Sequence, residues 1–300
     1  MSKVWRIGIV VVLGFVLLLG VVALIAPYTE PGIASAVGSD GVPLLLTDFS
    51  GLPQEVIDGA YELAAELFGD CTEECEYFVS QLLALYVEAR DEDFVIFFNA
   101  GGWGHSLLED SPGWQTIFAG IESELEGWSY SSLRLNYLRA ADTLRGRLNE
   151  VGEMIGVYQL KAQYLASRVE FLLTYIPDIR IILAGESTGT VITEGAMEII
   201  GDNPQVYSIQ TGPPFWLQLD TSGNTLVMTD NGIVPDCFSH ANLFDFVFGY
   251  VRYWLGLLEP EDNFGTTPHL VTAPGHDYWW QYPEVCSRIT DFLNQHFGFD

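Results

Sequence analysis

Apolar runs of strand length alternate along this chain with stretches whose apolar residues recur every three or four positions. Phe94-Val95-Ile96-Phe97-Phe98 is the clearest run, and its continuity predicts a strand buried on both faces. Further strands are expected at Ser131 to Leu138, Ile181 to Ala184, Val206 to Gln210, Thr225 to Thr229 and His269 to Thr272. Helical spacing covers Pro53 to Arg90, Trp114 to Leu125, Val191 to Ile200, Phe244 to Leu258 and Pro283 to Phe297. Another helical region, interrupted near Gly152 and Gly156, runs to Tyr175. Strands alternating with helices predict an α/β fold, a mostly parallel sheet with helices on both faces. In such sheets ligands bind beyond the carboxyl ends of the strands.

The first segment stands apart. Ile7 to Ala26 is twenty residues without a charge, preceded by Lys3 and Arg6. That length spans a bilayer as a transmembrane helix, and the two cations keep the N-terminus cytoplasmic and the domain outside. The alternative is a signal peptide cleaved at Ala34-Ser35-Ala36, which would release a secreted domain. Residues 1–26 are thus an anchor or signal segment. Residues 27–50, rich in Gly, Pro and Ser, read as a linker, and residues 51–300 as one domain with a helical N-terminal extension over 51–90.

Charge narrows the partners. The chain carries forty acidic residues, a formal net charge of −28 and two lysines, Lys3 and Lys161. Such a surface repels nucleic acid and anionic headgroups, so nucleic-acid binding is excluded. The four cysteines, Cys71, Cys75, Cys237 and Cys286, are widely split and lack paired histidines, so neither a metal site nor another cofactor is expected. In an exported domain two disulfides are the default, and the preferred pairs are Cys71–Cys75 and Cys237–Cys286.

The candidate chemistry centres on Gly185-Glu186-Ser187-Thr188-Gly189, lying between an apolar run and a helical stretch. A serine on so sharp a strand-to-helix turn is strained, and glycines two residues either side remove side chains that would collide with the neighbouring strand and helix. A serine nucleophile needs a base, an orienting acid and oxyanion donors. His276, in a glycine-flanked loop after the last expected strand, is the first choice of base among five histidines. Asp230 ends the Thr225–Thr229 run and is the first choice of acid, with Asp236 in the same loop as the alternative. A Cys237–Cys286 bridge would tie the acid and base loops together. The oxyanion donors are expected from the backbone of Thr188 and of Gly102 or Trp103, in the glycine-rich loop Gly101 to Gly104.

In the order Ser187, Asp230, His276, and in the glycine loop upstream, residues 90 to 300 resemble the α/β-hydrolase superfamily. Two departures leave the subfamily open: Asn99-Ala100 stands where many lipases carry a histidine, and Glu186 where the residue before the nucleophile is commonly histidine. The resemblance implies a serine hydrolase cleaving an ester or related acyl bond, with a small-molecule or lipid-like acyl substrate and no cofactor. The competing readings are a non-catalytic binding domain of the same fold and an acyltransferase. The aromatic stretch Phe244 to Leu255 reads first as a packed helix rather than an acyl pocket; with Phe215-Trp216 and Trp279-Trp280 nearby in sequence, an apolar portion of the substrate is the alternative.

Overall fold

A computed structural model describes residues 34–69, 73–143, 146, 150, 159–219, 223–242, 264–267 and 271–298. Strands β1 (Ser35–Val37), β2 (Phe94–Asn99), β3 (Ser132–Leu138), β4 (Arg180–Glu186), β5 (Val206–Thr211) and β6 (Thr225–Met228) form one sheet in the order β1-β3-β2-β4-β5-β6. Every pairing is parallel except that of β1 with β3. Six helices accompany them among the described residues: α1 (Gln54–Phe68), α2 (Glu73–Ala89), α3 (Pro112–Gly127), α4 (Gln159–Tyr175), α5 (Gly189–Ile200) and α6 (Pro283–Phe297).

The continuous apolar strands are explained by what covers them. Along β2, Val95 and Phe97 join a core with α1, α2, α4 and α5. Phe94, Ile96 and Phe98 point the other way, into a core with α3 and α6. Successive side chains leave a strand on opposite faces, so a strand buried on both must be apolar at every position. Helix α6 shows the complementary pattern: only Val285, Ile289, Phe292, Leu293 and Phe297 are buried, a single stripe facing the sheet.

Three expectations are corrected. Residues 27–50 were expected to be a linker, yet Ser35–Val37 is a buried edge strand. Its small side chains allow close packing, and the buried Arg168 guanidinium fixes it by donating to Ala34 O while also reaching Tyr164 O and Gln81 Oε1. Composition registers the small residues but not this partner. The run expected at His269 to Thr272 instead contributes to a two-stranded antiparallel ribbon, β7 (Phe264–Thr267) with β8 (Val271–Pro274). A short apolar run does not specify its partner, and here a neighbouring segment in sequence supplies it. The Cys237–Cys286 disulfide is absent: the structure does not join these two thiols. Cys71 lies outside the described residues, and so does the Cys71–Cys75 pairing. The helix expected over Phe244 to Leu258 and the apolar run Ile7 to Ala26 also lie outside them. Among the described residues, no helix is long and apolar enough to cross a membrane.

Candidate active site

Ser187 sits where β4 turns into α5, with φ of 51°, a left-handed conformation that a residue with a side chain rarely adopts. Its N–H donates to Thr211 O (2.9 Å) at the end of β5, and its carbonyl accepts from Thr190 N and Thr190 Oγ1. The two glycines are required as expected. A Cβ on Gly189 would lie 2.0 Å from Asn99 O, and one on Gly185 would lie 2.8 Å from Thr193 Oγ1 and 3.0 Å from Thr190 Cα. The strand-to-helix turn closes only because nothing projects there.

Beside the serine, the loop after β2 is held from both sides. Thr188 Oγ1 donates to Gly102 O (3.0 Å), and Gly101 N donates to the Glu186 carboxylate (3.4 Å), which also accepts from Ser111 Oγ (3.0 Å). Behind the loop, Arg139 donates from its guanidinium to Ala100 O and from its backbone to Gly104 O. The Arg139 side chain is itself fixed by Glu150 (2.9 Å), which also binds Lys161 (2.7 Å), all three being buried. Thr188, Gly102 and Trp103 are thus brought to the serine's side of the sheet. Gly102 has φ of 65° and open space around it, while Trp103 is partly exposed.

The candidate acid and base lie on the β6 side. His276 Nδ1 lies 2.7 Å from Asp236 Oδ2, so the structure pairs His276 with Asp236 and not with Asp230. Asp230 instead makes a local turn, its Oδ1 accepting from Gly232 N and its backbone bridging Pro235. The turn chemistry of Asp-Asn-Gly keeps Asp230 at the strand end, whereas the chain after Pro235 carries Asp236 inward. Asp236 is fully buried, and its other oxygen accepts from Phe238 N (2.8 Å) and Ser239 N (3.3 Å). Tyr278 donates a further hydrogen bond to Oδ2 (2.9 Å). Four donors thereby compensate the desolvation of the carboxylate.

Hydrogen bonds join the loops that carry Asp236 and His276. Asn231 Nδ2 donates to Asp277 O and Oδ1, and Tyr282 donates to the other Asp277 oxygen. Gly275, at φ of 73°, packs so closely that a Cβ would lie 2.5 Å from Pro235 O. Burial would lower the His276 pKa, but the charge and hydrogen bond of Asp236, then Glu186 and Asp277, outweigh it and hold it above the usual histidine value. Burial also raises the Glu186 carboxyl, against the hydrogen bonds from Ser111 and Gly101.

Among the described residues Ser187 Oγ forms no hydrogen bond to His276. Consecutive residues link the two: Thr211 accepts from the Ser187 backbone, and Gly212 lies against the imidazole. Such contacts commonly tighten only when substrate binds. The other described histidines are elsewhere: His105 faces Asp142, His240 follows the acid loop, and His296 packs against Tyr207 and Phe292. Sequence reasoning missed Tyr278, Gly212 and the Arg139–Glu150–Lys161 cluster. The first two lie in loops without periodicity, and the cluster joins residues that only the fold brings together.

The mostly parallel six-stranded sheet with helices packed on both faces makes the architecture α/β-hydrolase-like. No protein-family profile matches the chain, and no curated protein is similar to it in sequence. Among solved structures, a Trichoderma reesei cutinase in complex with a C11Y4 phosphonate inhibitor is similar at 11% identity and a TM-score of 0.40, over 82% of this chain and 94% of that one. At this level of likeness the chemistry is read from the site itself.

Proposed function

We propose that this chain is a serine hydrolase that cleaves a carboxylic ester, with Ser187 as nucleophile, His276 as base and Asp236 as acid. The observation that carries the reading is the 2.7 Å contact of a buried aspartate with a histidine, one residue's breadth from the backbone partner of a strained serine. In the proposed reaction, His276 takes the Ser187 proton as Oγ attacks the ester carbonyl. Backbone N–H groups of Thr188 and of Gly102 or Trp103 receive the developing oxyanion. The C–O bond breaks, His276 returns the proton to the departing alcohol, and water then releases the acyl group by the same route. Asp236 keeps Nδ1 protonated and stabilises the imidazolium.

The same proposal puts the domain outside the cell, tethered by Ile7 to Ala26. Support comes from the length of that uncharged run and the two cations before it. Cleavage after Ala36 would cut within β1, whose Ser35, Ala36 and Val37 pair with Leu138, Tyr137 and Asn136, which favours retention of the anchor over processing at that point. The substrate is a small-molecule or lipid-like acyl compound.

A fluorophosphonate probe tests the chemistry. Wild type is expected to be labelled, Ser187→Ala to lose labelling entirely, and His276→Ala to lose most of it. Absence of labelling on folded wild type would sink the reading. Protease protection of the domain in sealed inside-out membrane vesicles, and its loss on permeabilisation, tests the topology.

A further inference from the structure

Two loops at the carboxyl ends of β5 and β6 present a run of aromatic rings that the triad does not use. Phe215 and Trp216 contact each other at 5.0 Å between centroids, Trp216 contacts Phe238 at 5.5 Å, and Phe238 contacts the His276 ring at 5.3 Å. Phe215 and Trp216 are 44% and 49% exposed and, with Trp103, are the exposed aromatics among the described residues. They are not on a loose tip. Phe215 N donates to Phe238 O (3.2 Å), Ser239 Oγ donates to Pro213 O (2.7 Å), and Leu217 N closes the turn on Pro214 O (2.9 Å). A rigidly held, solvent-facing aromatic surface running up to a catalytic base is a preorganised binding surface.

Its position in the sheet says which part of an ester it takes. The serine lies at the end of β4, the glycine loop follows β2 on one side, and the aromatic run follows β5 and β6 on the other. In acyl transfer the carbonyl oxygen faces the oxyanion donors, and the departing oxygen must face the imidazole that protonates it. We infer that Phe215, Trp216 and Phe238 form the subsite for the leaving alcohol and select alcohols with an uncharged apolar portion. This rests on the proposed hydrolase reading. The chain's charge of −28 opposes anionic alcohol portions such as phosphoesters, and ring faces and edges suit alkyl or aryl groups.

The test is a substrate matrix on the full-length protein. Acetate esters of methanol, butanol, 3,3-dimethylbutanol, benzyl alcohol and choline vary the alcohol, and methyl esters from acetate to octanoate vary the acyl group. The kcat/KM of wild type is expected to rise from methyl to benzyl acetate. Trp216→Ala is expected to lower it roughly five- to tenfold for benzyl acetate, while methyl acetate and the acyl series stay unchanged. Both rings are exposed, so circular dichroism should report an unchanged fold for Phe215→Ala and Trp216→Ala. An effect of Trp216→Ala on the acyl series instead, or on neither series, overturns the subsite. A preference for acetylcholine over its neutral isostere 3,3-dimethylbutyl acetate, lost in Trp216→Ala, overturns the apolar assignment in favour of cation recognition. Wild type that cleaves methyl acetate with no dependence on the alcohol removes only the subsite. Wild type that cleaves no ester and takes no fluorophosphonate removes the hydrolase reading as well.

Discussion

The Nδ1 of His276 and the hydroxyl of Tyr278 meet on one oxygen of Asp236, at 2.7 and 2.9 Å. Burial and then the neighbouring Asp236 hold the Tyr278 phenol well above its usual pKa, so it is a neutral donor across the working range. An oxygen that serves two donors holds each less strongly than it would hold one. Tyr278→Phe should therefore leave Oδ2 to His276 alone and stabilise the imidazolium. The acid limb of kcat/KM is expected to move to higher pH by up to about one unit, with about 1 kcal/mol of lost stability. A pH–rate series and a melting curve check this: a purely structural role would lower the melting temperature and leave the limb in place.

Substitution of the two loop aspartates separates their roles. Asp236→Asn removes the acceptor that fixes the imidazole tautomer and should cost on the order of 10⁴-fold in kcat. Asp230→Asn keeps an oxygen to accept from Gly232 N, so kcat should stay within about twofold and stability within about 0.5 kcal/mol. Equal losses for both would overturn the assignment of Asp236.

Gly212 has φ of 59°, and a Cβ there would lie 2.6 Å from His276 Cε1, 2.8 Å from Nδ1 and 2.9 Å from Asp236 Oδ2. Gly212→Ala should displace the base and lower kcat on the order of 10²-fold. Near-normal turnover in this variant would show that the imidazole moves away from Gly212 during catalysis.

Behind the glycine loop, burial would raise the Glu150 carboxyl, but Arg139 and Lys161 outweigh it and depress it. Its contribution to stability is thus present above the unfolded carboxyl value of 4.5 and lost as pH falls through the lower folded one. Glu150→Gln should destabilise the fold at neutral pH by about 3–5 kcal/mol, because two buried cations lose their counter-charge. The difference from wild type should narrow in acid, and residual activity should show lowered kcat with little change in KM. Denaturant melts at several pH values measure the first expectation.

In the proposed mechanism the raised His276 pKa sets the activity profile. The base must be neutral to act, so the acid limb should lie above 6.5, and stabilisation from the charged imidazole, full below 6.5, should fade as pH rises through that limb. Glu186→Gln keeps an acceptor for Ser111 and Gly101 but removes a negative charge near the imidazole, so the limb should move to lower pH. A limb that stays fixed would mean that Glu186 is protonated at that pH.

Much of this site was legible because glycine and serine at fixed spacing leave few backbone solutions. Gly185, Ser187 and Gly189 between an apolar run and a helix are such a case, and the buried β2 run was as clear. The acid was harder to place: Asp230 and Asp236 lie in one loop, and their difference is three-dimensional, since only Asp236 turns toward the imidazole. Edge strand β1 was hidden because its identity depends on Arg168, more than a hundred residues away in sequence. The β7–β8 ribbon illustrates the same limit, since hydrophobicity marks a strand but does not choose its neighbour.

Cys237 and Cys286 are not bridged, so the alignment of base and acid is fixed by contacts that form as the chain folds. Among those contacts are the Asn231 bonds to Asp277, the Tyr282 bond to the same carboxylate and the close seat of Gly275 on Pro235, so a change at any of them reaches the acid and the base together.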